Sequence, residues 1–240
     1  LVLAFVIGQR DQAGADGLLA RVAHVTDDCM PRFTSDQLPA YRHALLHTDG
    51  AWYQPQRQGS RGASPTPRRR PPPSLRYAQV VKRRVGGRIV DVSTRVIFGT
   101  PEAVAASLAH SPVSRTVNTS FVERDNLTQR QSNRRLTRRT NGFSKDLTWF
   151  EKQLWLSLAY YHLVLPHQSL RERLPTPEPT RGAGSPRTWR PVTPAMAAGL
   201  TDHIWTTGEL LAYRVPVEFL DQLRTIEHLF PAWNGVHHSH

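Results

Sequence analysis

Cysteine is nearly missing: Cys29 is the only one in 240 residues. A single thiol excludes an internal disulfide and any zinc site built from several cysteines, and it fits a reducing cytoplasm. Acidic residues are also scarce. The 19 Asp and Glu stand against 31 Lys and Arg, for a formal net charge of +12 and a pI near 10.9. Such a surplus predicts affinity for a polyanion, with nucleic acid the usual partner. Membrane-spanning runs are missing too. The apolar opening, residues 1–7, is far shorter than the about 20 residues that cross a bilayer. It resembles a secretion-signal core, yet it has no basic leader and Gln9-Arg10-Asp11 follow at once. There is no basic amphipathic helix with a broad apolar face of the kind that lies on a membrane surface. No membrane partner is expected, and the expected compartment is the cytoplasm.

Residues 1–7 are continuously apolar and partly β-branched, the pattern of a central strand. Nothing precedes them to make a turn or a partner strand, so the domain is expected to lack its start. A strand left open in this way predicts poor solubility or self-association. Leu18, Leu19, Val22 and Val25 recur at helical spacing within 14–25. Phe33-Thr34 is a short extended piece that runs into Ser35-Asp36-Gln37-Leu38, where a helix or turn begins. From Arg57 to Ser74 no apolar side chain is larger than Ala63 and the prolines, which predicts a linker or mobile loop. Two strands, 76–84 and 88–98, should join across Gly86-Gly87, with Val90, Val92, Val96 and Phe98 on one face of the second. Pro101-Glu102 opens a short helix to about residue 110.

A helix is expected from Asn118 to about residue 139, stopped by Gly142, and another over 145–165 with Ser144 as its cap. Leu147, Phe150, Leu154, Leu158 and Tyr161 share one face of that second helix. Trp155, Leu156 and Leu163 cover much of the rest, so its second half should be buried. Pro166 ends it. A Pro- and Arg-rich connector follows, then short helical pieces around 194–199, 207–213 and 217–230. The chain thus divides into 1–53, a linker at 54–76, a strand pair with a short helix at 77–116, two helices at 117–171 and an extension at 172–240.

Two-metal phosphodiester chemistry needs carboxylates on rigid elements, close enough to share the ions. Asp36 ends a short extended segment. Glu123 lies in the first turns of a helix whose Asn126, Arg130 and Arg134 follow at i+3, i+7 and i+11, a carboxylate with hydrogen-bonding and cationic groups behind it. Each acid also has a purely structural reading. Ser35-Asp36 suits a helix cap, and Ser120-Phe121-Val122-Glu123 fits a capping box. Arg124, Arg130, Arg134, Arg135, Arg138, Arg139 and Lys145 face only Glu123 and Asp125. Adjoining like charges cost stability unless a polyanion neutralises them, which favours nucleic-acid contact. His167 reads as a helix-end residue, and His237, His238 and His240 as a tail; with Cys29 they make no zinc pattern.

The stretch Asn118-Thr119-Ser120-Phe121-Val122-Glu123-Arg124-Asp125-Asn126-Leu127-Thr128 resembles the segment around the last catalytic glutamate of bacterial insertion-sequence transposases of the DDE type, particularly the insertion-sequence-one-like group. Arg134-Arg135-Leu136-Thr137-Arg138-Arg139-Thr140 and Gly142-Phe143-Ser144-Lys145 continue the likeness. So do Ala159-Tyr160-Tyr161-His162, Pro166-His167-Gln168-Ser169-Leu170-Arg171 and Pro194-Ala195-Met196-Ala197-Ala198-Gly199-Leu200. Upstream, Phe33-Thr34-Ser35-Asp36-Gln37 resembles the strand end bearing the second aspartate. The resemblance implies an α/β, RNase H-like (retroviral-integrase-like) fold, a mixed five-stranded sheet flanked by helices. It implies two Mg²⁺ or Mn²⁺ ions, with Asp36 as second and Glu123 as third acid, acting on DNA. The implied partners are transposon ends, target DNA and further copies of the chain.

The departures are specific. The first aspartate belongs on the first strand, and residues 1–7 resemble a later one. Asp125 cannot substitute, because two positions along a helix point about 200° apart. His162 and Leu165 stand where relatives often carry Asn and Arg. The 87 positions between the acids (123 minus 36) are long and need 54–98 to be partly an insertion. The expectation is therefore a transposase inactive by itself, with a non-enzymatic basic DNA-binding remnant as the alternative and an RNA-associated basic protein as a third reading.

Overall fold

The computed structural model describes residues 1–26, 30–57, 59, 63–137, 141–142, 144–180, 182 and 184–217. Cys29, Arg138, Arg139, the histidines at 237, 238 and 240, and the helix expected over 217–230 beyond Val217 lie outside the described residues. The chain forms two compact units, one of Leu3–Thr128 and one of Leu1–Val2 with Gln129–His240.

The Leu3–Thr128 unit is mixed α/β. Its elements in chain order are α1 (Gln12–Val25), β1 (Arg32–Ser35), α2 (Ala40–Asp49), β2 (Ala51–Tyr53), β3 (Arg68–Arg70), β4 (Arg76–Val85), β5 (Arg88–Phe98), α3 (Pro101–Ala109) and the first turns of α4 (Ser120–Ser132). The main sheet is mixed, in the order β1-β4-β5. β1 runs parallel to β4, and β5 returns antiparallel beside it. The described residues give this sheet three strands, where the resemblance implies five.

Local chemistry explains these elements. The Asp11 carboxylate accepts the Gly14 N–H at 2.8 Å and starts α1. Gly86 and Gly87 have φ of +56° and +79°, the two positive values that a type I′ turn requires, so β4 and β5 close as a tight hairpin. Thr100 caps α3, with Pro101 at its first position. Ala15, Leu19, Ala40, Ala44 and Leu45 of the two helices pack with Leu75, Tyr77 and Phe98 in one core, against which Met30, Phe33, Leu38, Tyr41, Leu46 and Ile97 rest. Alanines of both helices, Ala15, Ala40 and Ala44, lie in that core, and four residues separate the end of β1 from the start of α2.

Three expectations fail here. Residues 1–7 form no strand. The Phe5 carbonyl accepts from the Arg21 guanidinium at 2.6 Å, and Val6 reaches within 3.8 Å of where a Cβ on Gly17 would stand. An apolar run without period is satisfied by packing on a helix as well as in a sheet. The 54–76 linker contains β3, paired antiparallel with β2, because cross-strand aromatic–arginine contacts replace the apolar contacts the sequence lacks. The pairing of β5 with β4 shifts register between Tyr77 and Ala78 and between Arg83 and Arg84, so Val90, Val92, Val96 and Phe98 do not follow one unbroken alternation; Val90 and Val92 are 49 % and 59 % exposed.

The other unit contains the end of α4, 3-10 turns at Arg134–Leu136 and Gln168–Leu170, and α5 (Leu147–Leu163). It then runs through β6 (Glu172–Glu178), β7 (Arg187–Arg190), α6 (Pro194–Ala197) and α7 (Thr207–Ala212). α4 stops at Ser132 rather than near 139. The cause is Asn133, which adopts an extended conformation and caps the next turn through its side chain. Asp146, not Ser144, caps α5 by accepting the Trp149 N–H at 3.1 Å. Leu154 and Leu158 are buried, whereas Trp155 and Leu156 are about half exposed at 48 % and 51 %, so the second half of α5 is not covered all round. The expected connector is a β6–β7 hairpin, pinned by Arg190 on Glu172 at 2.6 Å. No helix among the described residues is long and apolar enough to cross a membrane.

Candidate active site

Asp36 follows the last residue of β1 at the sheet end where β1 lies beside β4. Its Oδ2 accepts from Arg10 Nη2 at 2.7 Å, and its Oδ1 accepts the Leu38 N–H at 3.2 Å, closing a turn before α2. Pro39 occupies the α2 cap without a side-chain bond, so Asp36 is not the helix cap that its sequence context also suited. Beneath it runs a polar chain. Gln79 Nε2 donates to the Tyr77 hydroxyl at 2.8 Å, that hydroxyl meets Ser35 Oγ at 2.6 Å, and Ser35 Oγ donates to the Asp36 carbonyl at 2.7 Å. Gln79 and Tyr77 are buried. A buried chain in which each member has a partner fixes the strand end that carries the carboxylate.

Glu123 stands in the first turn of α4, where a negative side chain complements the helix dipole. Its Oε1 accepts from Lys82 Nζ at 2.5 Å and from the Thr119 hydroxyl at 2.8 Å. These two bonds, Lys82 first, hold its carboxyl below the usual range. The Ser120 N–H goes to Asn118 Oδ1 instead, so the capping box through Glu123 is not formed.

Both acids line one open cleft of about 640 Å³, with Arg10, Gln37, Leu38, Pro39, Val80, Lys82, Arg84 and Thr119. Val80, Lys82 and Arg84 fall at every second position of β4 and therefore share a face. The sequence reading missed Arg10, Lys82 and Arg84 as site residues. The alternation in β4 was the signal for two of them. Three cations thus share the cleft with two carboxylates.

Carboxylates are the hard oxygen donors that Mg²⁺ and Mn²⁺ prefer, and these two face one space. Each is bound to a cation with solvent access, since the Arg10 side chain is 72 % and the Lys82 side chain 31 % exposed. Release of either frees its carboxylate for a metal. Asp36 and Glu123 are thus two hard oxygen donors lining one cleft, and no group of three or more His, Cys, Asp or Glu gathers for a metal among the described residues.

The predicted DNA-contacting residues divide. Arg124, Asn126 and Arg130 are exposed on α4, and Arg134, Arg135 and Lys145 are exposed beyond it. Arg134 lies in the 3-10 turn, past the end of α4, so the i+11 alignment with Glu123 is broken. Arg135 donates to Ser144 Oγ at 2.9 Å. Arg124, Arg130, Arg134 and Lys145 make no ion pair among the described residues. Comparison with protein-family models, curated proteins and solved structures finds no match to this chain.

Proposed function

We propose that this chain carries two carboxylates of a metal-dependent DNA strand-transfer site of the DDE transposase type, on an RNase H-like core. One observation carries the reading: Asp36 and Glu123, far apart in sequence, line the same cleft. Parallel β1 and β4, with the acid at the end of β1, suit such a core. The exposed arginines of α4 suit the DNA it would act on.

In this reading Asp36 and Glu123 hold a divalent ion, which when bound polarises the phosphodiester and lowers the pKa of an attacking water or 3′-hydroxyl. The chain's own residues do the rest. Lys82 and Arg10, now paired with the carboxylates, would be free to face the phosphate where the acids held a metal, and their charge is complementary to it. Arg84, in the same cleft, offers a further phosphate contact. The Gln79–Tyr77–Ser35 chain keeps the Asp36 backbone in place throughout. Among the described residues two acids line the cleft, so in this reading cleavage needs a third carboxylate besides them. The expected products are DNA cleavage and joining, with transposon ends and target as substrates and further copies of the chain as partners.

Manganese binding followed by electron paramagnetic resonance tests this. Asp36→Asn and Glu123→Gln should each abolish it in an otherwise folded protein. Manganese bound equally well by both variants would end the transposase reading. The three-to-two excess of cations in the cleft favours a second reading, a basic DNA-binding protein without catalysis. In that case both variants should bind DNA more tightly and show no link to metal.

A further inference from the structure

The β2–β3 hairpin has no part in the cleft. Its register sets Trp52 opposite Arg69 and Tyr53 opposite Arg68. Residues directly opposite in an antiparallel pair share a face, so Trp52 and Arg69 stand together, with Tyr53, Arg68 and Arg70 on the reverse. The Arg69 guanidinium lies 4.9 Å from the centre of the Trp52 ring. It also donates to the carbonyl oxygens of Leu46, at 3.2 Å, and His47 in the last turn of α2, the end of a helix that attracts cations. Arg69 is thereby fixed as a backing plate against one face of the indole.

The rest of that indole is open, for Trp52 is 65 % exposed. Arg70 backs Tyr53 in the same manner at 5.7 Å. The surrounding sequence, Gly50 to Val90, holds ten Lys and Arg and no Asp or Glu. An open aromatic face with a cationic backing, in a stretch free of acids, suits a partner that is both flat and anionic. Duplex DNA keeps its base faces inside the stack; an unpaired strand displays them between phosphates.

We propose that the β2–β3 hairpin is a stacking platform for single-stranded DNA, with a base lying on the Arg69-backed ring of Trp52 and the strand's phosphates drawn by the positive charge of the acid-free stretch around it. The choice of DNA over RNA rests on the function proposed above; the stacking of an unpaired strand does not.

The test is fluorescence anisotropy of a labelled oligothymidylate on the full chain. Trp52→Ala should weaken binding roughly ten- to a hundredfold, the usual worth of one stacked base, and Trp52→Phe should restore most of it by returning an aromatic face. Binding of a duplex of equal length should be unchanged in both variants. An unaltered affinity in Trp52→Ala, an equal loss on duplex, or displacement of the strand by an oligoproline peptide would overturn the proposal. Tighter binding of oligouridylate than of oligothymidylate would overturn the assignment to DNA. Manganese binding, measured on the same proteins, reads the cleft separately: its loss in Trp52→Ala would overturn the independence of the platform.

Discussion

Lys82 Nζ and Glu123 Oε1 stand 2.5 Å apart, joining the middle of β4 to the first turn of α4. This bond is the main reason the Glu123 carboxyl titrates below its ordinary range. Lys82→Met should raise that pKa toward the free value, leaving only the Thr119 hydroxyl to lower it. The same change removes the ammonium that competes with a cation, so manganese should bind more tightly. Carbon-detected NMR titration and paramagnetic resonance would read the two effects; a pKa that stays in place would show that Lys82 does not govern the acid.

Tyr77→Phe removes the hydroxyl between Gln79 and Ser35 while leaving the buried ring. Gln79 then keeps a buried amide without its partner, at a cost of about 1–3 kcal/mol. Urea denaturation of the variant should show that loss. Manganese affinity should fall with it, because the strand end bearing Asp36 loses its support.

The hairpin turn can be tested without touching the cleft. Alanine at Gly86 and Gly87 places Cβ atoms in left-handed backbone, at about 1–2 kcal/mol per residue. Thermal melts should drop accordingly, whereas a melt unchanged in the double variant would be incompatible with a type I′ turn.

His162 is half-buried, and its Nε2 accepts the Val2 N–H at 3.0 Å. Burial first, then the charge of the amino terminus, lowers its pKa from 6.5 to about 4. The folded form is thus the neutral imidazole, and the unfolded chain binds the extra proton. The resulting stability is complete above pH 6.5 and is lost as the pH falls from there to about 4. Denaturation midpoints between pH 7 and 4 should decline in the parent and decline less in His162→Gln.

Arg124 and Arg130 are exposed on α4. If they meet phosphates, each change to glutamine should lower the slope of duplex binding against salt by about 0.9, one counterion's share. Unchanged slopes would remove α4 from the DNA surface.

Much of this was legible in the sequence where local rules act alone. The periodic residues of α1, the Gly86-Gly87 turn and the Thr100-Pro101 start of α3 carry their own signals. Residues 1–7 misled because an unbroken apolar run has no period to separate strand from helix-packed coil. β3 was hidden because Arg69 and Arg70 meet aromatic rings that each lie seventeen positions away (69 minus 52, 70 minus 53). The pairing of Asp36 and Glu123 on one cleft followed from no local pattern, only from a likeness spanning distant segments. Of the cations beside them, Lys82 and Arg84 were signalled by the alternation in β4, whereas Arg10 was not, since it reaches Asp36 through tertiary packing alone.

The segment leading into α2 lines the cleft of Asp36 and Glu123 through Leu38 and Pro39, and carbonyls of the helix's last turn hold Arg69 beneath Trp52. The helical run from Pro39 to His47 therefore acts as a gauge block between two separate places, spaced at about 12 Å by its 1.5 Å rise per residue. A loop between them would let each drift. A helix instead couples translation to rotation, so one inserted residue would advance the far end by about 1.5 Å and swing it by about 100°. Whatever strand touches both ends must match that phase as well as that length.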